Sequence, residues 1–173
     1  MARASAKTKA KSKTAARTTR ARNGTRRRVA ARTKAKTRDK TRDKPRRKQT
    51  FSLSHHRDED FKIDGLRTYA KYRDLGIKGA TNGMVLAHVI KFLPPCQPEV
   101  VSKRHFHDVD FQMIYVLKGW IKTEIEGAGA NVMRAGSCWL QPPRCEHVVL
   151  DYSDDCEVLE IVLPADFKTV ELE

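Results

Sequence analysis

Charge changes sign near Thr50, and that break sets what this chain can fold into. Residues 1–50 hold 21 of the 35 Lys and Arg side chains but only two of the 21 acids, Asp39 and Asp43, so they carry +19. The other 123 residues carry −5 and contain all 12 aromatics, all six histidines and all four cysteines. The sequence pI of 9.9 therefore belongs to a tail and not to a basic globule. Met1 and Val29 are the only sizeable aliphatics before Thr50. Residues 1–50 cannot bury enough apolar surface to offset their ordering entropy. They are expected to form a disordered Lys/Arg/Ala/Thr-rich tail. Residues 51–173 are long enough to fold alone, since a domain of this size buries roughly two-thirds of its unfolded surface.

The same count excludes other classes. No apolar run approaches the ~20 residues of a membrane helix. The N-terminus has charge but no apolar stretch of the kind a secretory signal needs. Cys96, Cys138, Cys145 and Cys156 without an export signal read as free thiols in a reducing compartment, so the expected location is cytoplasmic, with no membrane partner. The tail contains a short duplication, Thr37-Arg38-Asp39-Lys40 and Thr41-Arg42-Asp43-Lys44. Its composition resembles the tails of linker histones and histone-like bacterial proteins. Clustered cations release counterions from a polyanion, so nonspecific nucleic-acid binding is expected here, with Arg26, Arg27, Arg28, Arg46, Arg47 and Lys48 as its densest runs. A solvated extension with no selected role is the alternative.

Beyond Thr50 the pattern is β. Met84–Phe92, Phe111–Leu117, Trp120–Glu126, Ser137–Gln141, His147–Asp151 and Glu157–Leu163 are short apolar or β-branched runs. Lys118-Gly119 and Glu126-Gly127-Ala128-Gly129 supply turns, and Pro94-Pro95 and Pro142-Pro143 mark loops or strand ends. Residues 51–83 read as an irregular or short helical lead-in, and residues 84–173 as an antiparallel sandwich or barrel. Both alternating faces of Phe111–Leu117 are apolar, which predicts burial on both sides. Gln112 is the odd polar residue on its face and needs a partner.

His105 and His107 lie two apart, on one side of an extended segment. Four residues separate His107 from Gln112 and six separate Gln112 from Gly119; Gly136 is followed after five residues by Pro142-Pro143-Arg144, then His147 and Asp151. This spacing resembles the two motifs of the cupin family, G-x5-H-x-H-x3/4-E-x6-G and G-x5-P-x-G-x2-H-x3-N. Asp110–Trp120 further resembles small stand-alone bacterial cupins with Gln at the ligand position. The resemblance covers roughly residues 84–162. It implies a double-stranded jelly-roll β-barrel, a homodimer, and a metal held by His105, His107 and His147, with Gln112 as a weak or hydrogen-bonding fourth. Gln112 replaces Glu, Arg144 replaces Gly, Asp151 replaces Asn, and Glu99 stands at the leading glycine.

An amide brings no charge, so three neutral imidazoles and Gln112 leave a divalent ion uncompensated. Imidazole-rich sites suit transition metals (Fe, Ni, Zn, Cu or Mn) over Mg or Ca. A metal-free cavity lined by hydrogen-bonding histidines is the alternative. His88 reads as a satisfied core histidine, His55-His56 as solvated, Glu160 as an exposed strand residue, and Trp120 and Trp139 as packing residues. Cys145 reads as a buried thiol, with a thiolate ligand as the sharper option. The function expected is small-molecule binding with metal-dependent dioxygenase or isomerase chemistry. The rivals are a non-enzymatic ligand sensor and a nucleic-acid-associated protein acting through its tail.

Overall fold

The structure is a computed structural model that describes residues 47–65 and 67–172. Arg26, Arg27, Arg28 and Arg46, with the rest of residues 1–46, lie outside the described residues. Two five-stranded antiparallel sheets form the body. Their strands are β1 (Ala70–Asp74), β2 (Leu86–Phe92), β3 (His105–Asp108), β4 (Phe111–Lys118), β5 (Trp120–Ile125), β6 (Gly129–Arg134), β7 (Cys138–Gln141), β8 (His147–Tyr152), β9 (Glu157–Leu163) and β10 (Lys168–Glu171). One sheet runs β1-β2-β9-β4-β7 and the other β10-β3-β8-β5-β6. Single helical turns, α1 (Ile77–Ala80) and α2 (Pro98–Val101), interrupt the connections. No described helix is long and apolar enough to cross a membrane.

The six strands read from the sequence are present with ends shifted by at most two residues. Four others, β1, β3, β6 and β10, carry weak patterns. In β6 only Met133 is buried, and β10 is an edge strand without a buried residue, so neither shows the alternation that marks a half-buried strand. The stretch 51–83 differs from its expected irregular or helical character, because β1 lies inside it and pairs with β2 along its whole length.

The sheets close on Phe92, Ile114, Val116, Ile121, Met133, Tyr152, Cys156 and Val158. Val116, Cys156 and Val162 are fully enclosed. The cluster forms an apolar floor inside the sandwich.

The expected burial of β4 on both faces does not hold. Gln112, Ile114 and Val116 point inward and are buried, whereas Phe111 and Met113 are half-buried and Tyr115 and Leu117 are exposed. Their face is the outside of the first sheet. An apolar outer face looks like a buried one to a pattern reader, because hydrophobicity reports what prefers to be covered and not what covers it.

Candidate metal centre

Strand periodicity builds the site in tiers. Side chains two apart share a face, and on five strands the inward positions change from polar to apolar within one such step. The pairs are His88 and Ile90 on β2, Gln112 and Ile114 on β4, Gln141 and Trp139 on β7, His147 and Val149 on β8, and Glu160 and Val158 on β9. All ten line one cavity of about 1040 Å³. A polar tier therefore sits beside an apolar floor, and His105 and His107 complete the tier from β3.

Register then decides who meets whom. His105 is directly opposite His147, His107 opposite Thr169, His88 opposite Glu160, and Gln112 opposite Gln141. Residues in such cross-strand positions are close enough to interact. The ring centroids of His105 and His147 are 4.2 Å apart, those of His105 and His107 5.0 Å, and those of His107 and His147 5.2 Å. One ring nitrogen from each of the three lies within 4.8 Å of the others.

Every imidazole is held by its far nitrogen. His105 Nδ1 is 2.8 Å from the Lys103 carbonyl oxygen, His147 Nδ1 is 3.0 Å from that of Cys145, and His107 Nδ1 is 2.8 Å from Thr169 Oγ1. A carbonyl only accepts, so His105 and His147 carry their proton on Nδ1 and present an unprotonated Nε2, which on His147 accepts from Gln141 Nε2 at 3.1 Å. Burial, reinforced by the cost of a second positive charge beside His147 and by Arg67, pushes His105 down to about 3. Burial likewise takes His107 to about 4, against the opposing pull of Glu160, and lowers His147. All three are neutral at pH 7, the form a metal ligand requires. Outward hydrogen bonds from ligand imidazoles also fix ring orientation. The donor set fits a transition metal on both counts.

Gln112 is buried beside the histidines, and its amide is engaged at both ends. Nε2 donates to Glu160 Oε1 at 2.7 Å, and Oε1 accepts from Gln141 Nε2 at 3.1 Å. Gln141 Nε2 also lies 3.1 Å from His147 Nε2, while its own Oε1 accepts from Trp139 Nε1 at 3.0 Å. Glu160 is not the exposed residue expected from the sequence. Its side chain is 13 % exposed, faces the cavity and accepts from His88 Nε2 at 2.6 Å. The signal that could have found it is its alternation with Val158 and Val162, both fully buried on the same strand. His88 is satisfied, as expected, but it lines the cavity too, and Trp139 does the same.

Other expected residues fall elsewhere. Cys145 is not among the cavity-lining residues, and burial raises its thiol further from the thiolate a metal would take. All four cysteines are free thiols. His55 is exposed yet belongs to a segment, Ser52–His55, that forms part of the cavity rim. Arg73 ties that segment to β1 through Ser54 Oγ at 3.1 Å. Arg47 and Lys48 are exposed, and Arg47 donates to the Asn82 carbonyl at 3.3 Å. Arg67 and Thr123 line the cavity, and Arg67 Nη2 and Thr123 Oγ1 are buried without a hydrogen-bond partner among the described residues.

No protein-family model matches the chain, and no curated protein matches it. Solved structures do. KdgF from Halomonas sp. is 20 % identical over 66 % of this chain and 94 % of its own, with a TM-score of 0.54. The polyketide cyclase RemF from Streptomyces resistomycificus is 16 % identical over 70 % of this chain and 86 % of its own, also at 0.54. Oxalate decarboxylase from Bacillus subtilis is 16 % identical over 72 % of this chain and 32 % of its own, at 0.52. These likenesses, with the two antiparallel sheets, show a cupin-type jelly-roll fold.

Proposed function

We propose that this cupin-fold chain holds a divalent transition metal between His105, His107 and His147, with Gln112 as a weaker fourth donor, and binds a small molecule in the cavity beside it. The observation that carries this reading is the convergence of three buried imidazoles, with one ring nitrogen from each within 4.8 Å of the others and each ring held by an Nδ1 contact. Such a centre has coordination positions to spare for water or ligand. A bound ion would supply Lewis acidity and polarise a ligand oxygen. Among activities, oxygen-dependent dioxygenase-type chemistry is the first candidate and isomerisation the second, since neutral donors leave the ion most of its charge. The fold alone does not choose between them.

The chain's own residues suit a polar ligand with an apolar body. Arg67 Nη2 and Thr123 Oγ1 provide hydrogen-bonding groups, while Ile90, Phe92 and Phe167 provide packing surface. Elemental analysis of untagged protein tests the metal. The expected result is near-stoichiometric Fe, Ni, Zn, Cu or Mn after purification or titration. Less than about a tenth of an equivalent, with no uptake on titration, rejects it. A ligand that binds without any product would favour a sensor on the same site.

The +19 tail supports a second, separate role in nonspecific nucleic-acid binding. A homodimer is also part of the proposal, because the outer face of the first sheet presents Tyr115, Leu117 and Leu140 to solvent.

A further inference from the structure

Gln112 stands where a carboxylate would compensate the charge of an ion, and the structure puts a carboxylate directly behind it. Glu160 lies diagonally across from Gln112 in the β4–β9 pairing, and Gln112 Nε2 reaches its Oε1 at 2.7 Å. A carboxylate can only accept, so this contact fixes the amide with its NH2 group toward Glu160. The amide oxygen is thereby turned the other way, to Gln141 Nε2, the same nitrogen that touches His147 Nε2. Glu160 is anchored in its turn by His88 Nε2 at 2.6 Å on the directly opposite position of β2. His88, Glu160, Gln112, Gln141 and His147 thus form one continuous chain of side-chain contacts across the polar tier.

We propose that Glu160 is the anionic member of the metal centre and works through Gln112, fixing which way its amide faces and supplying one residue away the negative charge that the neutral donors lack. This rests on the metal-binding reading above. Both carboxylate oxygens of Glu160 are occupied by N–H donors, Oε1 by Gln112 Nε2 at 2.7 Å and Oε2 by His88 Nε2 at 2.6 Å. Glu160 is therefore a positioning residue. Partners behind the ligands of a metal are commonly worth about 10- to 100-fold in affinity.

The test is competitive titration of the metal-stripped full chain with Zn²⁺ against a chromophoric chelator, with circular dichroism as a check on folding. Glu160→Gln keeps shape and can still accept from His88, but it removes the charge and lets the Gln112 amide turn over. Its affinity is expected to fall about 10- to 100-fold. In the double variant Glu160→Gln with Gln112→Glu, the carboxylate moves one residue forward, and affinity should return to within about threefold of the wild type if charge at this position is what matters. A purely structural role for Glu160 would not be rescued this way. Should Glu160→Gln fail to fold, Gln112→Leu cuts the link while leaving the His88–Glu160 pair, and the same loss is expected. Wild-type affinity in a folded Glu160→Gln or Gln112→Leu variant overturns the inference and leaves the metal centre standing. Failure of the wild type itself to take up Zn²⁺, Ni²⁺ or Fe²⁺ removes the metal reading and the inference with it.

Discussion

Gly119 and Arg144 show how backbone conformation holds the two motif segments in place. Gly119 turns β4 into β5 at φ +66°, and a Cβ there would press on Ser153 Oγ and Asp155 Oδ1 and lie 3.1 Å from the Cys156 Cα. Left-handed backbone costs a residue with a side chain about 1–2 kcal/mol, and crowding against backbone adds to it. Gly119→Ala should therefore lower stability by about 2 kcal/mol or more in thermal or urea unfolding; an unchanged midpoint would contradict the turn described. Arg144 occupies the same region at φ +60°, at the position where the cupin motif has glycine. Its amide donates to the His107 carbonyl at 3.0 Å, and its guanidinium sits 5.1 Å over the Phe106 ring. A cation–π contact of about 0.5–1 kcal/mol offsets part of the backbone strain. The departure from glycine thus ties the His147 loop to the strand that carries His105 and His107.

At the level of elements, the outer face of the first sheet is covered at one end and bare at the other. Over β1 and β2, Phe61 packs against Arg73 and Lys91, and Ala87 and Val89 are buried. Over β4 and β7, Met113 pairs with Leu140 and Tyr115 with Cys138, and Leu140 is 55 % exposed. A contiguous apolar patch of this kind marks an interaction surface, and a second copy of the chain is the proposed cover. Leu140→Glu should shift the protein from dimer to monomer in sedimentation velocity without changing bound metal, since the outward Leu140 and the inward Gln141 are adjacent on one strand. Wild-type protein that sediments as a monomer at tens of micromolar would remove the dimer.

Two behaviours belong to the molecule as a whole. The three imidazoles titrate near 6.5 in the unfolded chain but lower in the native state, at about 3 for His105 and about 4 for His107, with His147 also lowered by burial. Between those limits the unfolded state binds more protons, so stability rises with pH and is lost on acidification. Each imidazole contributes up to about 1.4 kcal/mol per pH unit. Chelator-treated protein should melt progressively earlier from pH 6.5 toward pH 4, and His147→Gln should show a shallower dependence. A melting temperature that stays level from pH 7 to pH 5 would mean the imidazoles are not buried as described. The tail makes a second, independent prediction. Nucleic-acid binding by the full chain should weaken steeply with salt and show little base preference, and removing residues 1–50 should abolish it while leaving metal content unchanged. Equal binding by the shortened chain would place the nucleic-acid surface on the barrel.

Local rules sufficed for the charge break at Thr50, the six strongly patterned strands and the spacing that singles out His105, His107, Gln112 and His147. These depend on composition, period-2 alternation and turn residues, all of which act within a few positions of the chain. Register and sheet order were not available to such rules. They set His88 opposite Glu160, brought Glu160 diagonally against Gln112, and turned an apolar run on β4 outward instead of burying it. Glu160 reads as a solvated charge in one dimension because its partners lie 48 and 72 residues away. Only closure of the two sheets determines that a carboxylate on β9 shares one enclosed tier with histidines on β3 and β8.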